Sequence, residues 1–600
     1  MRKVTYLLLA LVTALTVLAG CSTMPKRPES LTRGDYGYTK EHVSWLIRTE
    51  MKKHDVTGLS IALVDDQEVV WAEGFGLADE ANKIPATPET VYRVGSISKL
   101  FTATAAMQLV EQGKLDIDKP LTTYLPEFSI KSRFPEAGPI TPRSIMTHHS
   151  GLPSDLLKGM WTKKPEPFEN NLNLLREEYA AFPPNYVFSY SNAGVTTLGH
   201  ALERVSGRDF ASHLTAALLQ PLGMSRSSFS PAPDRSPLGA KAYRKGEEAE
   251  EIPLRDVPAG GLNSTVLDLS RFMRMVLAGG RAGERQIIRP ETLAEMLRPQ
   301  NADIPLDLNC RIGLGWMLSG LGGINLKNAG TVAHHGGATL YHRSQLIVLP
   351  EQKLGVVVLA NSGSAGRVVS KVATEALKLA LEARSGIRQP ERKEPSATDE
   401  GTLPKEELKS YEGPYATIAG VVNVTQKSDY LRVESMNATL RLVPRPDGLF
   451  GLQYRLLGLF PISLGELDHI GFSVARVMGH DILKATSEGQ EMLVGERIHL
   501  APVSGKMSQR IGEYEVINRG DDAVLMDNLR VRQDNGLLIV DYAMPLFTDG
   551  RMSSAIAPLS DTEALTYGLW RGMGETIRVV TVNGEELLQY SGYLLRKKKE

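Results

Sequence analysis

The chain has 600 residues, of which 42% are hydrophobic and 23% are charged, and its formal net charge is −1. This composition argues against long disorder and against a protein with many membrane spans, and the balanced charge lacks the basic excess that is typical of nucleic-acid binders. The two cysteines exclude a disulfide framework and a cysteine-built zinc site.

The first 20 residues have the pattern of an export signal. Arg2 and Lys3 precede an apolar run that is too short for a comfortable membrane span of about 20 residues. The run ends in Leu18-Ala-Gly-Cys21, which resembles a bacterial lipoprotein processing site. That resemblance implies cleavage before Cys21 and acylation of its thiol, and Ser22 implies sorting to the outer membrane. We therefore expect a protein held in the cell envelope by acyl chains and facing the periplasm, with a plain signal peptide or a short anchor as the alternative.

Residues 21–35 are polar and contain proline, which predicts a tether. Residues 36–385 mix helical and strand patterns, with strands near both ends and helices between them. This order predicts one α+β domain, in which terminal helices cover an antiparallel sheet and a helical lobe lies beside it. Ser264 is the predicted N-cap of the helix that follows it. The predicted helices are 40–54, 96–112, 193–205, 266–278 and 367–384, and the predicted strands are 58–64, 68–74, 341–349 and 354–360.

Residues 386–407 are rich in charge, proline and glycine and are predicted to be a linker. Short alternating segments with turn signals follow, so the remainder is predicted to be all-β. Several motifs recur there at nearly constant spacing, which indicates a duplication into β module 1, residues 408–500, and β module 2, residues 507–600. One larger barrel is the alternative. The recurring pairs are Leu431-Arg-Val433 with Leu529-Arg-Val531, Arg476-Val-Met-Gly479 with Arg571-Gly-Met-Gly574, and Tyr415 with Tyr514.

The first candidate catalytic motif is Ser96-Ile-Ser-Lys99, at the start of a predicted helix. Residues three apart share a helix face, so Ser96 and Lys99 can point into one cleft. A serine hydroxyl becomes a nucleophile when a base takes its proton, and the free N–H groups of a helix start can bind a developing oxyanion. Such a motif also arises by chance on solvated surfaces, so its partners decide its meaning.

Two further motifs offer such partners. In Tyr190-Ser-Asn192, a phenol near a lysine is expected to ionise below its reference pKa of about 10 and to act as a general base, while the amide can bond to the lysine or to a substrate. In His334-His-Gly-Gly337, glycines on an edge strand admit a substrate backbone, and an N–H there can complete an oxyanion hole. Singly, each motif is equally typical of an ordinary turn.

Ser-x-x-Lys and Tyr-Ser-Asn occur once each, and His334-His-Gly336 follows them in the order Ser-x-x-Lys, Tyr-Ser-Asn, His-x-Gly. This set resembles the serine hydrolases related to class C β-lactamases, DD-peptidases, esterases and penicillin-binding proteins, over about residues 40–384. The resemblance implies a β-lactamase/transpeptidase-like domain, and the β half resembles the lipocalin-like appendages of some relatives. It also implies Ser96 as the acylated nucleophile, with Lys99 and Tyr190 sharing the proton transfers and Asn192 positioning them.

The same resemblance places His334 in the catalytic set and implies an oxyanion hole made by the backbone N–H groups of Ser96 and Gly337, with Gly336 beside them. It implies no metal and no cofactor. One departure matters: β-lactamases carry Lys-Thr-Gly where this chain has His-His-Gly, as esterase and aminopeptidase members often do. Since His334 lacks a fixed positive charge that would hold a substrate carboxylate, strong β-lactamase activity is not expected.

We therefore expect hydrolysis of an ester, a small amide or a peptide with D-residues, with a peptidoglycan-derived peptide as one candidate. A weak β-lactamase or penicillin-binding protein, and a catalytically silent binding or scaffold lipoprotein, are the alternatives. No Gly-x-Ser-x-Gly elbow occurs, which argues against an α/β-hydrolase. The β half is expected either to bind its own glycan, lipid or peptide or to restrict substrate size with loops that reach the cleft. No nucleic-acid partner is expected, and the sequence does not fix the oligomeric state.

Overall fold

The computed structural model describes residues 23–319, 324–390, 396, 401, 405–436, 438–456, 460–500, 502–548 and 550–599. Cys21, the export signal and most of the expected linker therefore lie outside the described residues. Among the helices of the described residues, none combines the length and the apolar character that a membrane span requires.

An antiparallel sheet of eight strands organises the first domain, which we call the hydrolase domain. Its central strands consist largely of β-branched and leucine residues, and Leu354–Ala360 is buried along its whole length because helices cover both faces of the sheet. In spatial order the strands are Arg311–Ile312, Met317–Ser319, Ala333–Ala338, Arg343–Leu349, Leu354–Ala360, Gly58–Asp65, Glu68–Asp79 and Ile84–Pro85.

The terminal helices Gly37–Lys53 and Gly366–Ser385 pack on one face, where Val43, Ile347 and Leu377 share a core. The helical lobe packs on the other face, where Phe101, Phe272 and Leu346 belong to a second core. This confirms the expected α+β domain. The helices of the lobe are Ser98–Glu111, Pro142–Met146, Asn171–Leu175, Asn192–Ser206, Phe210–Leu214, Val257–Gly260, Val266–Leu277 and Pro290–Leu297.

Short strands complete the hydrolase domain. Tyr92–Arg93, Leu262–Ser264 and Ser228–Phe229 form a small three-stranded sheet beside the turn that carries Ser96. Two hairpins join Arg281–Ala282 to Arg285–Gln286 and Ala242–Arg244 to Glu247–Ala249.

Two local predictions are wrong in detail. Thr265, not Ser264, caps helix Val266–Leu277, because its side chain accepts the Asp268 N–H at 3.0 Å while Ser264 ends a strand. The second is the helix predicted from residue 96, which begins at Ser98. Residues 95–97 before it form a tighter 3₁₀ turn.

The C-terminal part forms two separate eight-stranded barrels rather than one larger barrel. In the first barrel, pairing of Gly413–Thr417 with Gln490–Arg497 and of Thr439–Pro444 with Phe450–Leu456 closes the ring. Short helices, Lys405–Lys409 and Gly505–Ser508, precede the two barrels. The strands of the first barrel are Gly413–Thr417, Gly420–Gln426, Leu431–Ser435, Thr439–Pro444, Phe450–Leu456, Gly471–Val477, His480–Ser487 and Gln490–Arg497, with Phe460–Ile462 paired outside the ring. Those of the second are Gly512–Val516, Asp527–Asp534, Leu537–Ala543, Arg551–Pro558, Glu563–Thr566, Thr576–Val582, Glu585–Tyr590 and Tyr593–Lys597.

The tyrosine pair of the predicted duplication occupies equivalent places in the two barrels. Tyr415 and Tyr514 both lie in the first strand, and each hydroxyl donates to the carbonyl four residues earlier, at 3.0 and 2.7 Å. The other recurring motifs do not correspond in this way, because Leu431 lies in the third strand of its barrel and Leu529 in the second. The architecture is therefore repeated, although most of the short sequence matches fall on non-equivalent strands.

Candidate active site

Ser96 lies in a turn that a glycine makes possible. Gly95 has a φ of +52°, and a Cβ there would lie 2.7 Å from the backbone N of Ala338, so only glycine lets the strand approach this closely. The Ser98 hydroxyl holds the turn by donating to the Gly95 carbonyl at 2.6 Å and accepting the Leu262 N–H at 3.0 Å. Ser96 remains half-buried while its neighbours are buried, so its hydroxyl faces the cleft.

Lys99 follows one helical turn later and is only 2% exposed. Its Nζ lies 3.1 Å from Ser96 Oγ and donates to Asn192 Oδ1 and to the Ala259 carbonyl, both at 2.7 Å. Burial, reinforced by the positive charge of Arg571, holds the pKa of Lys99 well below its ordinary value. The structure therefore brings the predicted Ser96, Lys99 and Asn192 together.

Tyr190 completes this group, but its electrostatics differ from the expectation. Its phenol hydrogen-bonds to Ser96, and Lys99 Nζ lies 4.9 Å from its ring centroid. Burial raises the pKa of Tyr190 above its ordinary value, and the Ser96 hydrogen bond and the Arg571 charge offset this only in part. The expectation that Tyr190 ionises easily is wrong. Burial destabilises the phenolate by more than Ser96 and Arg571 stabilise it.

The two histidines of the strand Ala333–Ala338 lie on opposite faces of the sheet. His334 pairs with Ile347 and so faces the terminal helices, whereas His335 pairs with Leu346 on the face of the helical lobe. The His335 ring centroid lies 6.2 Å from that of Tyr190. Both histidines border the cleft, but strand alternation places His335 beside the other site residues.

His335 is a neutral acceptor. Burial lowers its pKa to about 3, and its Nδ1 lies 2.6 Å from the Gly336 carbonyl, which requires an N–H at that position. Its Nε2 is then an acceptor, buried and without a hydrogen-bond partner among the described residues.

The predicted oxyanion segment lies against the Ser96 turn. A Cβ on Gly337 would lie 2.0 Å from the Val94 carbonyl oxygen, whereas one on Gly336 would lie 3.2 Å from Gln345 Oε1 and 3.7 Å from the Ser344 carbonyl oxygen. The strand also pairs with Met317 on its other side at His334, so the expected edge strand is wrong for its first half. That pairing does not extend to residues 336–338, where the backbone faces the cleft.

Two charged residues of the site are missing from the sequence prediction. Asp155 accepts a hydrogen bond from Asn192 Nδ2 at 2.6 Å, and Arg571 of the second barrel donates to Asp155 at 2.6 Å. Burial alone would raise the pKa of Asp155, but Arg571 and Asn192 lower it overall, so it is an anion. The sequence analysis identified Arg571 only as part of a recurring motif. A loop that joins two strands carries no local signal of a contact with a distant residue.

The loop 567–575 of the second barrel thus forms part of the cleft wall. The Arg571 guanidinium carbon lies 5.2 Å from the Tyr190 ring centroid, and the Trp570 ring packs against Phe188 at 6.0 Å between centroids. Backbone contacts fix the loop, since the Gly572 N–H donates to Ser154 Oγ at 2.7 Å and the Ser154 N–H to Glu575 at 2.8 Å. The expectation that a loop of the β half reaches the cleft is therefore confirmed.

The antiparallel sheet with its helical lobe, and a Ser-x-x-Lys pair facing a Tyr-x-Asn pair, define the class of β-lactamase and transpeptidase-like proteins. The family model described as Beta-lactamase matches residues 43–380, more than half of the chain. The chain therefore belongs to the β-lactamase family, whose members are serine hydrolases. The two barrels lie beyond the matched residues.

Several known proteins are similar to this chain. Protein flp of Staphylococcus aureus (strain N315) is 24% identical over 332 residues, which cover 54% of this chain and 64% of that protein. The mouse serine beta-lactamase-like protein LACTB, mitochondrial, is 27% identical over 433 residues, covering 54% of this chain and 76% of its own length. The chain thus spans less than two thirds of protein flp. The crystal structure of SurE has the same fold, with a TM-score of 0.54 and 24% identity over 77% of this chain and 100% of that one.

Proposed function

We propose that the protein hydrolyses an ester, a small amide or a D-residue-containing peptide through an acyl-Ser96 intermediate. The observation that carries the proposal is the 3.1 Å separation of Lys99 Nζ from Ser96 Oγ in a buried environment that favours the neutral amine. A neutral amine has two N–H donors and one lone pair. The Asn192 and Ala259 oxygens take the donors, which leaves the lone pair for the Ser96 proton.

The steps follow from this arrangement. Ser96 Oγ attacks the substrate carbonyl carbon as its proton passes to Lys99 Nζ, while the N–H groups of Ser96 and Gly337 bind the oxyanion. The bond from the carbonyl carbon to the leaving alkoxide or amine then breaks, which forms the acyl-enzyme. The leaving group takes the proton from Lys99, either directly or through the protonated Tyr190 hydroxyl. Water attacks the acyl carbon by the same proton path in reverse and releases the acid.

The charges of the cleft bear on the substrate class. His335 is neutral and accepts hydrogen bonds, which suits an ester or peptide with a free N–H or O–H. Arg571 brings a fixed positive charge into the same cleft, with its side chain 44% exposed. That charge can pair with a substrate carboxylate, which keeps a carboxylated D-peptide or a penicillin as a second candidate substrate.

Intact-protein mass spectrometry of the full chain tests the proposal. The chain is incubated with a fluorophosphonate, a reporter acetate ester, a D-alanyl peptide and a fluorescent penicillin, beside Ser96→Ala and the exposed control Ser364→Ala. We expect an adduct or turnover in the wild type and in Ser364→Ala but not in Ser96→Ala. Turnover that survives in Ser96→Ala would refute the nucleophile, and no reaction with any probe would favour the silent scaffold.

We also propose that Cys21 carries the lipid anchor and that the protein belongs to the outer membrane, facing the periplasm. The support is the Leu18-Ala-Gly-Cys21 pattern with Ser22 after it. The test is the mass of the N-terminal peptide and the membrane fractionation of wild type and Cys21→Ser expressed in a Gram-negative host. A diacylglyceryl mass on Cys21 supports the anchor, and an unmodified cysteine in a released chain refutes it.

A further inference from the structure

A single cavity joins the candidate active site to the interior of the second barrel. It has a volume of about 980 Å³ and is bordered by Ser96 and Tyr190 at one end and by Leu529 and Leu588 inside the barrel at the other. Ligand pockets usually measure about 300–1,000 Å³, so this one lies at the upper end of that range. The catalytic cleft alone does not account for it.

The barrel part of the cavity is lined by alternate residues of each strand. On strand Leu537–Ala543, Leu538 and Val540 face the cavity, and on strand Thr576–Val582, Ile577 and Val579 do so. The residues between them point outward, as strand geometry requires. Ile539, for example, packs on Ala416 and Val421 of the first barrel. The cavity is therefore the lumen of the second barrel.

The lumen is apolar, but it is not filled by its own side chains. Val540, Val579 and Met552 are only half-buried although they point into a closed barrel, whereas protein interiors are normally packed without large voids. The tyrosine hydroxyls that border it have protein partners, since Tyr590 donates to Glu575 at 2.8 Å and Tyr542 lies 3.3 Å from Ser554 Oγ. The lining is otherwise dominated by valine, leucine, isoleucine and methionine.

This lining selects among occupants. A glycan or a peptide would bring polar groups that need hydrogen-bond partners, and burying those groups unpaired is costly. An unbranched aliphatic chain has none, and each methylene that leaves water gains affinity. The open connection to Ser96 means that such a chain can reach the nucleophile while still attached to a carbonyl.

We propose that the lumen of the second barrel holds the aliphatic chain of the substrate whose ester or amide carbonyl is presented to Ser96. The preferred substrate class is then a long-chain acyl ester or amide rather than a small acyl compound. This inference rests on the proposed acyl-Ser96 mechanism. Arg571, at the junction of the lumen and the cleft, places the guanidinium next to the polar end of such a substrate.

Chain-length dependence tests the inference with the full-length protein. For p-nitrophenyl esters from acetyl to dodecanoyl, kcat/KM should rise by up to about fourfold per methylene until the lumen is filled. Val579→Trp, which fills the lumen, should lower the decanoyl-to-acetyl ratio of kcat/KM by tenfold or more. Val580→Trp, its outward-facing neighbour on the same strand, should keep the wild-type ratio. Val540→Phe is a second lumen-filling variant in case Val579→Trp does not fold.

A binding measurement separates the two proposals. The fluorescent fatty acid cis-parinaric acid should bind the Ser96→Ala chain, and Val579→Trp in that background should weaken binding by at least tenfold while Val580→Trp does not. Binding that depends on Val579 without any Ser96-dependent turnover would refute the mechanism but retain the lumen site. Equal kcat/KM for acetyl and decanoyl esters, or no binding of the fatty acid, would overturn the inference while Ser96-dependent acetate hydrolysis left the mechanism standing.

Discussion

Arg571 and Asp155 lie 416 residues apart in the chain, yet the arginine donates a 2.6 Å hydrogen bond to the aspartate at the edge of the cleft. Asp155 accepts another hydrogen bond from Asn192, which in turn accepts one from Lys99. A continuous polar connection therefore runs from a loop of the second barrel to the amine beside Ser96. The barrel therefore contributes a charge to the electrostatics of the candidate active site as well as covering the cleft.

The first prediction concerns the pH dependence of turnover. The proposed mechanism needs neutral Lys99, and burial holds the pKa of Lys99 well below 10.5. Activity should therefore rise with pH through the lowered pKa and reach its plateau well before pH 10.5. The measurement is kcat/KM for a reporter ester across pH 5–10. A profile that still rises at pH 10 would show that Lys99 is an ordinary ammonium group and not the base.

The second prediction is that Arg571→Gln moves this profile. The positive charge of Arg571 lowers the pKa of Lys99, so its removal should raise that pKa and shift the acidic limb of kcat/KM to higher pH. Activity on the acidic limb should therefore fall, whereas activity on the high-pH plateau, where Lys99 is neutral in both proteins, should change less. Arg596→Gln is the matched control, because Arg596 is also 44% exposed and lies in the same barrel in an ion pair with Glu585. A uniform loss at all pH values would indicate only a structural role.

The third prediction distinguishes the two histidines. His335→Gln should lower kcat/KM by about tenfold, the cost of one neutral hydrogen bond to substrate, because the His335 ring borders the cleft beside Tyr190 and its Nε2 has no partner among the described residues. His334→Gln should change kcat/KM by less than about threefold, since His334 lies on the other face of the sheet. Steady-state kinetics of both variants measures the two losses in kcat/KM, and thermal melts show whether either variant is destabilised. A larger effect at His334 would restore the assignment made from the sequence motif.

The features that could be predicted from the sequence are those that depend on neighbouring residues. Ser96 and Lys99 are three residues apart on one turn, so their proximity follows from helix geometry, and the structure places them 3.1 Å apart. The strands Gly58–Asp65 and Leu354–Ala360 follow from their apolar runs between turn residues. The α+β class follows from the order of such elements.

What the sequence could not supply depends on register, burial and long-range contact. The choice between His334 and His335 needs the pairing register, because a shift of one residue exchanges the faces of a strand. The direction of the Tyr190 pKa shift can be predicted only when the burial of the phenol is known, because the effect of burial outweighs that of the charged neighbours. The presence of Arg571 in the site can be predicted only when the position of the second barrel against the hydrolase domain is known, and no motif near residue 571 encodes that position.

The fourth prediction tests the close approach of the strand to the Ser96 turn. Gly337→Ala should lower kcat by about 100-fold or more, the range found when an oxyanion-hole donor is lost, because a Cβ there would lie 2.0 Å from the Val94 carbonyl and push the strand away. Gly336→Ala is the adjacent control and should retain activity within a few fold, since its Cβ would lie 3.2 Å from Gln345 Oε1 and no closer than 3.7 Å to backbone. Comparable losses in both variants would show that the segment is sensitive to any substitution.

The fifth prediction concerns stability at the contact between the hydrolase domain and the second barrel. Glu178 is 6% exposed, and its burial raises the pKa of its carboxyl from 4.5 to about 7. A raised pKa means that its contribution to stability is complete below pH 4.5 and is lost as the pH rises through 7. Glu178→Gln, which carries no charge, should therefore be more stable than the wild type at pH 8, by ~3 kcal/mol if the whole pKa difference is realised.

Thermal and denaturant unfolding of wild type and Glu178→Gln at pH 4.5 and pH 8 measure this effect. The neighbouring Glu177 is the control, because its side chain is 57% exposed and the hydrogen bond from Lys131 lowers its pKa instead. Glu177→Gln should therefore show no gain at pH 8. An equal difference between Glu178→Gln and wild type at both pH values would mean that the carboxyl does not titrate in this range, and that water or Arg578 neutralises the cost of its charge.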